Sequence, residues 1–245
     1  DLALLGTLGS VLPALETLSL IDGCVAFRRR AAGPDGVQRL AEGLGAGALP
    51  AVTRLTLTGM DIGDAGASAL AAALGRGALP RLNYLQLGNA AISDAGLVAL
   101  APALRQLPAL VVLVLRGNPF GDEGLATLVG PPPAGAPPPP TGGLAKLERL
   151  YLINTKITDA GCAALAATLD SGAMPALNTL DLDGISASDA AIDAVHAALR
   201  RVTDRAYRAY RELRELRQAL LQQLRTDHEA AAALCRKVGL RSCKE

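Results

Sequence analysis

The pattern L-x-x-L-x-L, with an apolar residue at its first, fourth and sixth positions, occurs six times and constrains the fold most strongly. The spacing between successive matches is 37, 30, 28, 37 and 30 residues, and the matches begin at Leu15, Val52, Leu82, Leu110, Leu147 and Leu177. Alternation of this kind predicts a short strand. Each strand is followed by a turn and a stretch with helical spacing, as in ISDAGLVALAPAL. Recurrence of the same pattern at spacings of this length indicates a repeat architecture.

The helical stretches carry a recurrent start signal. Asp64, Asp94 and Asp159 lie where an N-cap belongs, and we expect each of them to cap its helix. One repeat is too short to bury its own apolar side, so stability must come from the stacking of neighbours.

The six periods resemble the leucine-rich repeat family, in particular its ribonuclease-inhibitor-like class. The resemblance covers about residues 1–200 and implies an α/β fold, a right-handed solenoid of about six repeats. Parallel strands would line its concave face, and helices its convex face. Of the Asn or Cys residues usual after the strand, only Asn118 is present, so the buried amide ladder should be incomplete.

Composition divides the chain into residues 1–199, the solenoid, and residues 200–245, a basic helical extension or cap. The second segment has ten Arg and two Lys against six acidic residues, a net charge of +6, while the first has a net charge of −5. This favours either an acidic partner or a solvated helix face. Two repeats are extended, one by Phe27 and Arg28–Arg30, the other by a Pro-rich insertion at 131–143 that favours polyproline II.

Strand alternation places the residues between the repeat leucines on the concave face. In the middle repeats they form an apolar stripe with flanking Arg residues, which is typical of interaction sites. The alternative is that the Pro-rich insertion or the C-terminal segment covers the stripe. The predicted partner-binding residues of this face are Tyr84, Gln86, Val112, Val114, Arg116, Arg149, Tyr151 and Ile153.

The C-terminal segment has an apolar heptad seam with alternating spacings of 3 and 4 residues. The seam comprises Ile192, Val195, Leu199, Val202, Ala206, Ala209, Leu213, Leu216 and Leu220. Such a seam predicts a long helix that either docks on a partner or folds back as a cap, with breaks at Thr203-Asp204 or residues 225–227. Glu212 and Arg217 occupy g and e positions, which suit interhelical pairing. The predicted partner-binding residues here are Arg205, Arg208, Leu213, Leu216 and Leu220.

The sequence predicts neither an enzyme nor a cofactor or metal site. It has no P-loop, HExxH or GxSxG motif, and His196 and His228 have no catalytic companions. The four Cys residues form no CxxC pair, which favours reduced thiols and hence a soluble protein of a reducing compartment, the cytoplasm or an organelle interior. The first residue is Asp1 rather than Met, which is consistent with N-terminal processing.

These observations together predict a non-catalytic protein–protein interaction scaffold, an accessory or structural subunit of a larger assembly. Its partners would be other protein subunits, held by the concave face and the C-terminal helix. Nucleic acid is not expected, because the Arg residues of the tail alternate with Glu. The alternative is a regulator of a bound GTPase, by resemblance to the Ran GTPase-activating proteins. That family implies a long acidic tail, whereas this tail is basic.

Overall fold

The computed structural model describes the backbone of residues 14–21, 34–47, 49–130 and 144–237, and their side chains except 34–35 and 227–237. One sheet of six parallel strands runs in chain order, with a helix after each strand. The strands are β1 Thr17–Ile21, β2 Arg54–Thr58, β3 Tyr84–Gln86, β4 Val112–Val114, β5 Arg149–Tyr151 and β6 Thr179–Asp181. The helices are α1 Pro34–Gly45, α2 Gly63–Gly75, α3 Asp94–Gln106, α4 Asp122–Val129, α5 Asp159–Ser171 and α6 Asp189–Lys237.

The strand register confirms the repeat pattern. A single row of directly paired leucines crosses the sheet, formed by Leu18, Leu55, Leu85, Leu113, Leu150 and Leu180. All six are buried in one continuous apolar core between the sheet and the helices. Parallel strands joined through helices form right-handed units, so the fold is the predicted right-handed α/β solenoid.

The helix starts differ from the prediction. Ser93 and Thr158, rather than Asp94 and Asp159, are the N-caps of α3 and α5, and their hydroxyls accept from the second following backbone N–H. Asp64 also lies inside its helix, after Ile62 at the N-cap position. The prediction that these three Asp residues are N-caps is therefore wrong.

The Asp carboxylates bind the next repeat instead. Asp64 accepts from the backbone N–H and the hydroxyl of Ser93, at 2.8 and 2.6 Å. Asp122 does the same with Thr158, and Asp159 with Ser188. Asp94 accepts from the N–H groups of Gly121 and Gly124, at 2.9 and 2.8 Å. Each carboxylate therefore fixes the start of the next helix, and this contact sets how successive repeats stack.

Asn118 is the member of the predicted amide ladder that the sequence retains. Its side chain is 1% exposed, and its Oδ1 accepts from the N–H groups of Ala90 and Ile92, both at 3.1 Å. Its Nδ2 donates to the carbonyls of Leu87 and Leu115, both at 2.7 Å. In the next repeat the equivalent residue, Thr155, donates its hydroxyl only to Leu152 O.

Arg105, in the last turn of α3, caps the C-terminal end of α4. Its guanidinium donates to the carbonyl of Leu128 at 3.0 Å and also to those of Thr127 and Gly130. Its burial lowers the pKa of this guanidinium below the ordinary Arg value. Because α4 has only eight residues, these contacts satisfy much of its free C-terminal end just before the Pro-rich insertion.

The chain forms two compact units, Asp1–Thr203 and Asp204–Glu245. In the first unit, the beginning of α6 covers the sixth repeat: Val195, Ala198 and Val202 are buried in the core. Arg201 there forms an ion pair with Asp170 of α5, at 2.8 Å. Seam residues up to Val202 therefore belong to the solenoid core, which corrects the prediction of one seam over four heptads.

In the second unit, every described side chain from Asp204 to Thr226 is exposed. Helix α6 continues without interruption through Thr203-Asp204 and through residues 225–227. The helix breaks that a fold-back would need are therefore absent at both points. Phe27, Arg28–Arg30 and the Pro-rich insertion 131–143 lie outside the described residues.

Candidate functional site

A depression of about 430 Å³ lies on the strand face of the solenoid, on β3 to β6 and the turns after them. We call it the concave pocket. Its lining comprises Tyr84, Gln86, Val112, Val114, Arg116, Arg149, Tyr151, Ile153 and Asp181. All eight residues predicted for this face are thus brought together. The ninth, Asp181, is one that the prediction left out, although strand alternation places it on the same face.

Two rows of the sheet form the floor of the concave pocket. Tyr84, Val112 and Arg149 are direct neighbours in one row, and Gln86, Val114 and Tyr151 in the next. Val114 lines the pocket although it is only 7% exposed. Its small side chain lies between the larger Gln86 and Tyr151 and forms part of the floor. Thr56 and Thr58 of β2 were also expected to project outward, and they too are buried.

One wall of the pocket is held rigid by contacts of Tyr84. Its hydroxyl donates to Gln86 Oε1 at 2.8 Å. The guanidinium of Arg54 lies over its ring, 4.3 Å from the ring centre, in a cation–π contact. Arg54 and Gln86 therefore fix this ring from two sides, and the ring presents a preformed aromatic surface.

The cationic side chains of the pocket are free to bind a partner. Arg116 and Arg149 are exposed, and neither guanidinium group forms an ion pair or hydrogen bond with any residue in the described ranges. The stem of Arg116 passes close over Gly88: a Cβ at position 88 would lie 3.2 Å from Arg116 Cγ. Glycine at this position therefore lets the Arg side chain lie flat at the pocket edge.

Opposite charge lies at the far side of the pocket. Asp181 is half-buried on β6, next to Tyr151 in the sheet, and its Oδ1 accepts from the N–H of Asp183 at 3.2 Å. Asp183 is exposed just beyond the strand. The pocket thus combines an apolar floor with free guanidinium groups and the carboxylate of Asp181, which gives it electrostatic polarity.

The second predicted surface lies on α6. Leu213, Leu216 and Leu220 are 67%, 68% and 62% exposed, and Arg205 and Arg208 are exposed on the same helix. With Ala206 and Ala209 the three leucines form one stripe, which we call the exposed seam. It consists of the last five residues of the predicted heptad pattern.

The chemistry of the concave pocket suits binding. Its lining consists of apolar, aromatic, amide, guanidinium and carboxylate side chains and contains no His, Cys, Ser or Lys. Among the described residues, no group of three or more His, Cys, Asp and Glu side chains is placed to hold a metal ion. Helices long and apolar enough to span a membrane are likewise absent from that part of the chain. The GTPase alternative rests on the family resemblance and stays a prediction.

Comparison with known proteins is informative at the level of the repeat. Residues 50–71, 79–101 and 106–129 match the leucine-rich repeat family. No match to this sequence was found among curated proteins. Together with the six-strand register, the matched repeats show a leucine-rich-repeat fold. Leucine-rich repeats generally serve protein interaction through their concave surfaces. Assignment to the ribonuclease-inhibitor-like class stays a prediction.

Solved structures of similar fold include leiomodin-1 actin-binding site 2, at 15% identity and a TM-score of 0.49, with 88% of this chain and 95% of that chain covered. The tropomodulin C-terminal domain of Caenorhabditis elegans has 16% identity and a TM-score of 0.48, covering 87% and 98%. An internalin of Listeria monocytogenes has 17% identity and a TM-score of 0.45, covering 80% of this chain and 48% of its own.

Proposed function

We propose that this protein is a non-catalytic scaffold that holds a protein partner in its concave pocket and serves as an accessory subunit of a larger assembly. Residues 1–199 would form the binding solenoid, and residues 200–245 a second attachment element. The observation that carries the proposal is the convergence of aromatic and aliphatic side chains with two unpaired Arg residues on one preformed surface. Such a combination is typical of protein interfaces.

The pocket chemistry favours a particular kind of partner segment. Tyr84, Tyr151 and Ile153 offer apolar contact for one or two apolar side chains. The free guanidinium groups of Arg116 and Arg149 fit a carboxylate beside that anchor, because guanidinium binds carboxylate in a bidentate manner. Asp181 and Asp183 favour a basic residue on the other side. This polarity would fix the direction in which the segment lies.

Affinity purification from native extract with charge-reversed variants tests the proposal. We expect Arg149→Glu to lower recovery of a specific partner about tenfold or more, because the reversal removes an attraction and adds a repulsion. Arg81→Glu is the matched control, since Arg81 is an exposed Arg outside the pocket. Equal recovery with both variants, or no specific partner at all, would contradict a role for the pocket.

A further inference from the structure

The exposed seam is apolar surface that no described residue covers. It occupies a and d positions of a heptad, with Ala206, Leu213 and Leu220 at a and with Ala209 and Leu216 at d. Tyr210 and Leu224, 64% and 57% exposed, lie beside it at e positions. An amphipathic helix with this spacing is built to pack along another helix.

The charges on α6 are distributed as in a two-stranded coiled coil. Arg208, Arg211 and Arg214 lie at outer positions c, f and b, and Arg211 forms an ion pair along the helix with Glu215, at 3.2 Å. Glu212, at g, and Arg217, at e, flank the seam. Neither side chain has an ion pair or a hydrogen bond with another described residue.

We propose that the exposed seam pairs with the same seam of a second copy of this chain, in a parallel and in-register coiled coil. In this arrangement each g residue faces the e residue of the next heptad on the other helix. Glu212 of each copy then meets Arg217 of the other, twice by symmetry. The three leucines form matching layers, and Gln223, at the next d position, meets its own counterpart, where two amides hydrogen-bond and fix the register.

The other homotypic arrangements lack this complementarity, because antiparallel helices oppose g with g and e with e. In an antiparallel pair centred on Leu216 and Leu220, Arg217 of one helix faces Arg217 of the other. In an antiparallel pair centred on Ala209 and Leu213, Glu212 of one helix faces Glu212 of the other. Centring the pair on Leu213 and Leu216 places Glu212 opposite Ala219 and Arg217 opposite Tyr210, so no ion pair forms. The parallel register satisfies both charges.

This inference does not depend on the concave pocket. A chain that self-associates through α6 and binds no partner would support the coiled coil and contradict the proposed function. Partner binding by a strictly monomeric chain would support the proposed function and contradict the coiled coil.

Sedimentation equilibrium of the full chain in reductant, over about a hundredfold range of concentration, tests whether the exposed seam mediates dimerisation. We expect a reversible dimer that Leu213→Asp with Leu216→Asp abolishes. The matched control is Leu221→Asp, because Leu221 lies on the same helix at an outer b position and is 52% exposed. That control should dimerise like the original chain. A monomer at every concentration, or equal loss in the control, would overturn the proposal.

Exchange of the two charges tests whether the partner is a second copy of the chain and whether the two helices run parallel. The exchanged side chains are exposed, and the fold does not depend on them. Glu212→Arg alone and Arg217→Glu alone should each weaken dimerisation about tenfold, because like charges then face each other. A mixture of these two variants restores both complementary contacts, so heterodimers should form in preference to either homodimer. Failure of the mixture to associate better than its components would overturn the parallel register.

Discussion

At the scale of single residues, Asn118 is the described side chain that hydrogen-bonds to the largest number of backbone groups. It satisfies two N–H groups of the preceding loop and carbonyls from two neighbouring repeats, all within the core. The corresponding positions hold Met60 and Ala90, both buried and neither able to make such bonds. Stabilisation of the loops by amide side chains is therefore concentrated at the fourth repeat.

Replacing Asn118 by Ala should lower the free energy of unfolding by about 3 kcal/mol or more, because each stranded buried polar group costs about 1–3 kcal/mol. Urea denaturation followed by circular dichroism measures this. Asn83→Ala is the control, since Asn83 is exposed and its side chain has no hydrogen bond in the described structure. A loss below about 1 kcal/mol for Asn118→Ala would contradict the role given to this residue.

Cys162, on α5, is buried, and its pKa is raised by desolvation first and by the carboxylates of Asp159 and Asp122 second. The folded thiol thus stays protonated at pH values where the unfolded thiol ionises. Its contribution to stability is complete below the ordinary pKa of 9.0 and declines as the pH rises above that value.

We expect iodoacetamide to alkylate Cys162 about a hundredfold more slowly in the folded protein than in urea at the same pH, because the thiolate is the reactive form and the site is closed. Peptide mass spectrometry separates Cys162 from the other three Cys residues. Equal rates in both states would show that the site opens readily or that its thiol ionises normally.

At the scale of secondary structure, the helix ends are joined across repeats rather than closed within them. Ser93 and Thr158 cap their own helices, while the Asp that follows each of them binds the start of the next helix. Arg105 does the same at the opposite end of α4. Helices α3 and α4 are thus coupled at both ends, and the pairs α2–α3, α4–α5 and α5–α6 at their starts, which favours unfolding of several repeats together.

Arg105→Met should keep most of the packing but leave three carbonyls at the end of α4 unsatisfied, because Met has no donor. We expect a loss of about 2–4 kcal/mol in stability and faster amide exchange in α4 and its neighbours. Hydrogen exchange by mass spectrometry locates the effect. Arg105→Lys should recover only part of the protection, since one ammonium cannot reproduce the guanidinium geometry. Unchanged exchange in α4 would contradict the capping role.

At the scale of the whole molecule, the solenoid and the lining of the concave pocket could be predicted because both follow from short-range periodicity. Alternation around Leu85, Leu113 and Leu150 fixes which neighbours face the pocket. The burial of Val114 could not be predicted, because it depends on the size of the side chains on the two adjacent strands. The capping role of Arg105 could not be predicted either, because its acceptors lie more than twenty residues away along the chain.

The helix starts illustrate a different limit. Ser-Asp and Thr-Asp pairs offer two capping residues in succession, and local propensity cannot decide between them. The next repeat decides which of the two residues becomes the N-cap, because its backbone N–H groups donate hydrogen bonds to the Asp carboxylate. The end of the solenoid within the seam is equally hard to predict from the sequence. The pattern continues unchanged past Val202, although only the part before that point packs on a core.

Partner capture by the concave pocket is the central claim, and site-specific photo-cross-linking in native extract tests it most directly. A photoreactive side chain at position 153, in the pocket, is compared with one at position 163, exposed on α5 outside it. The account predicts a discrete cross-linked protein from position 153 that Arg149→Glu removes, and none from position 163. The same products from both positions, or none from position 153, would contradict it.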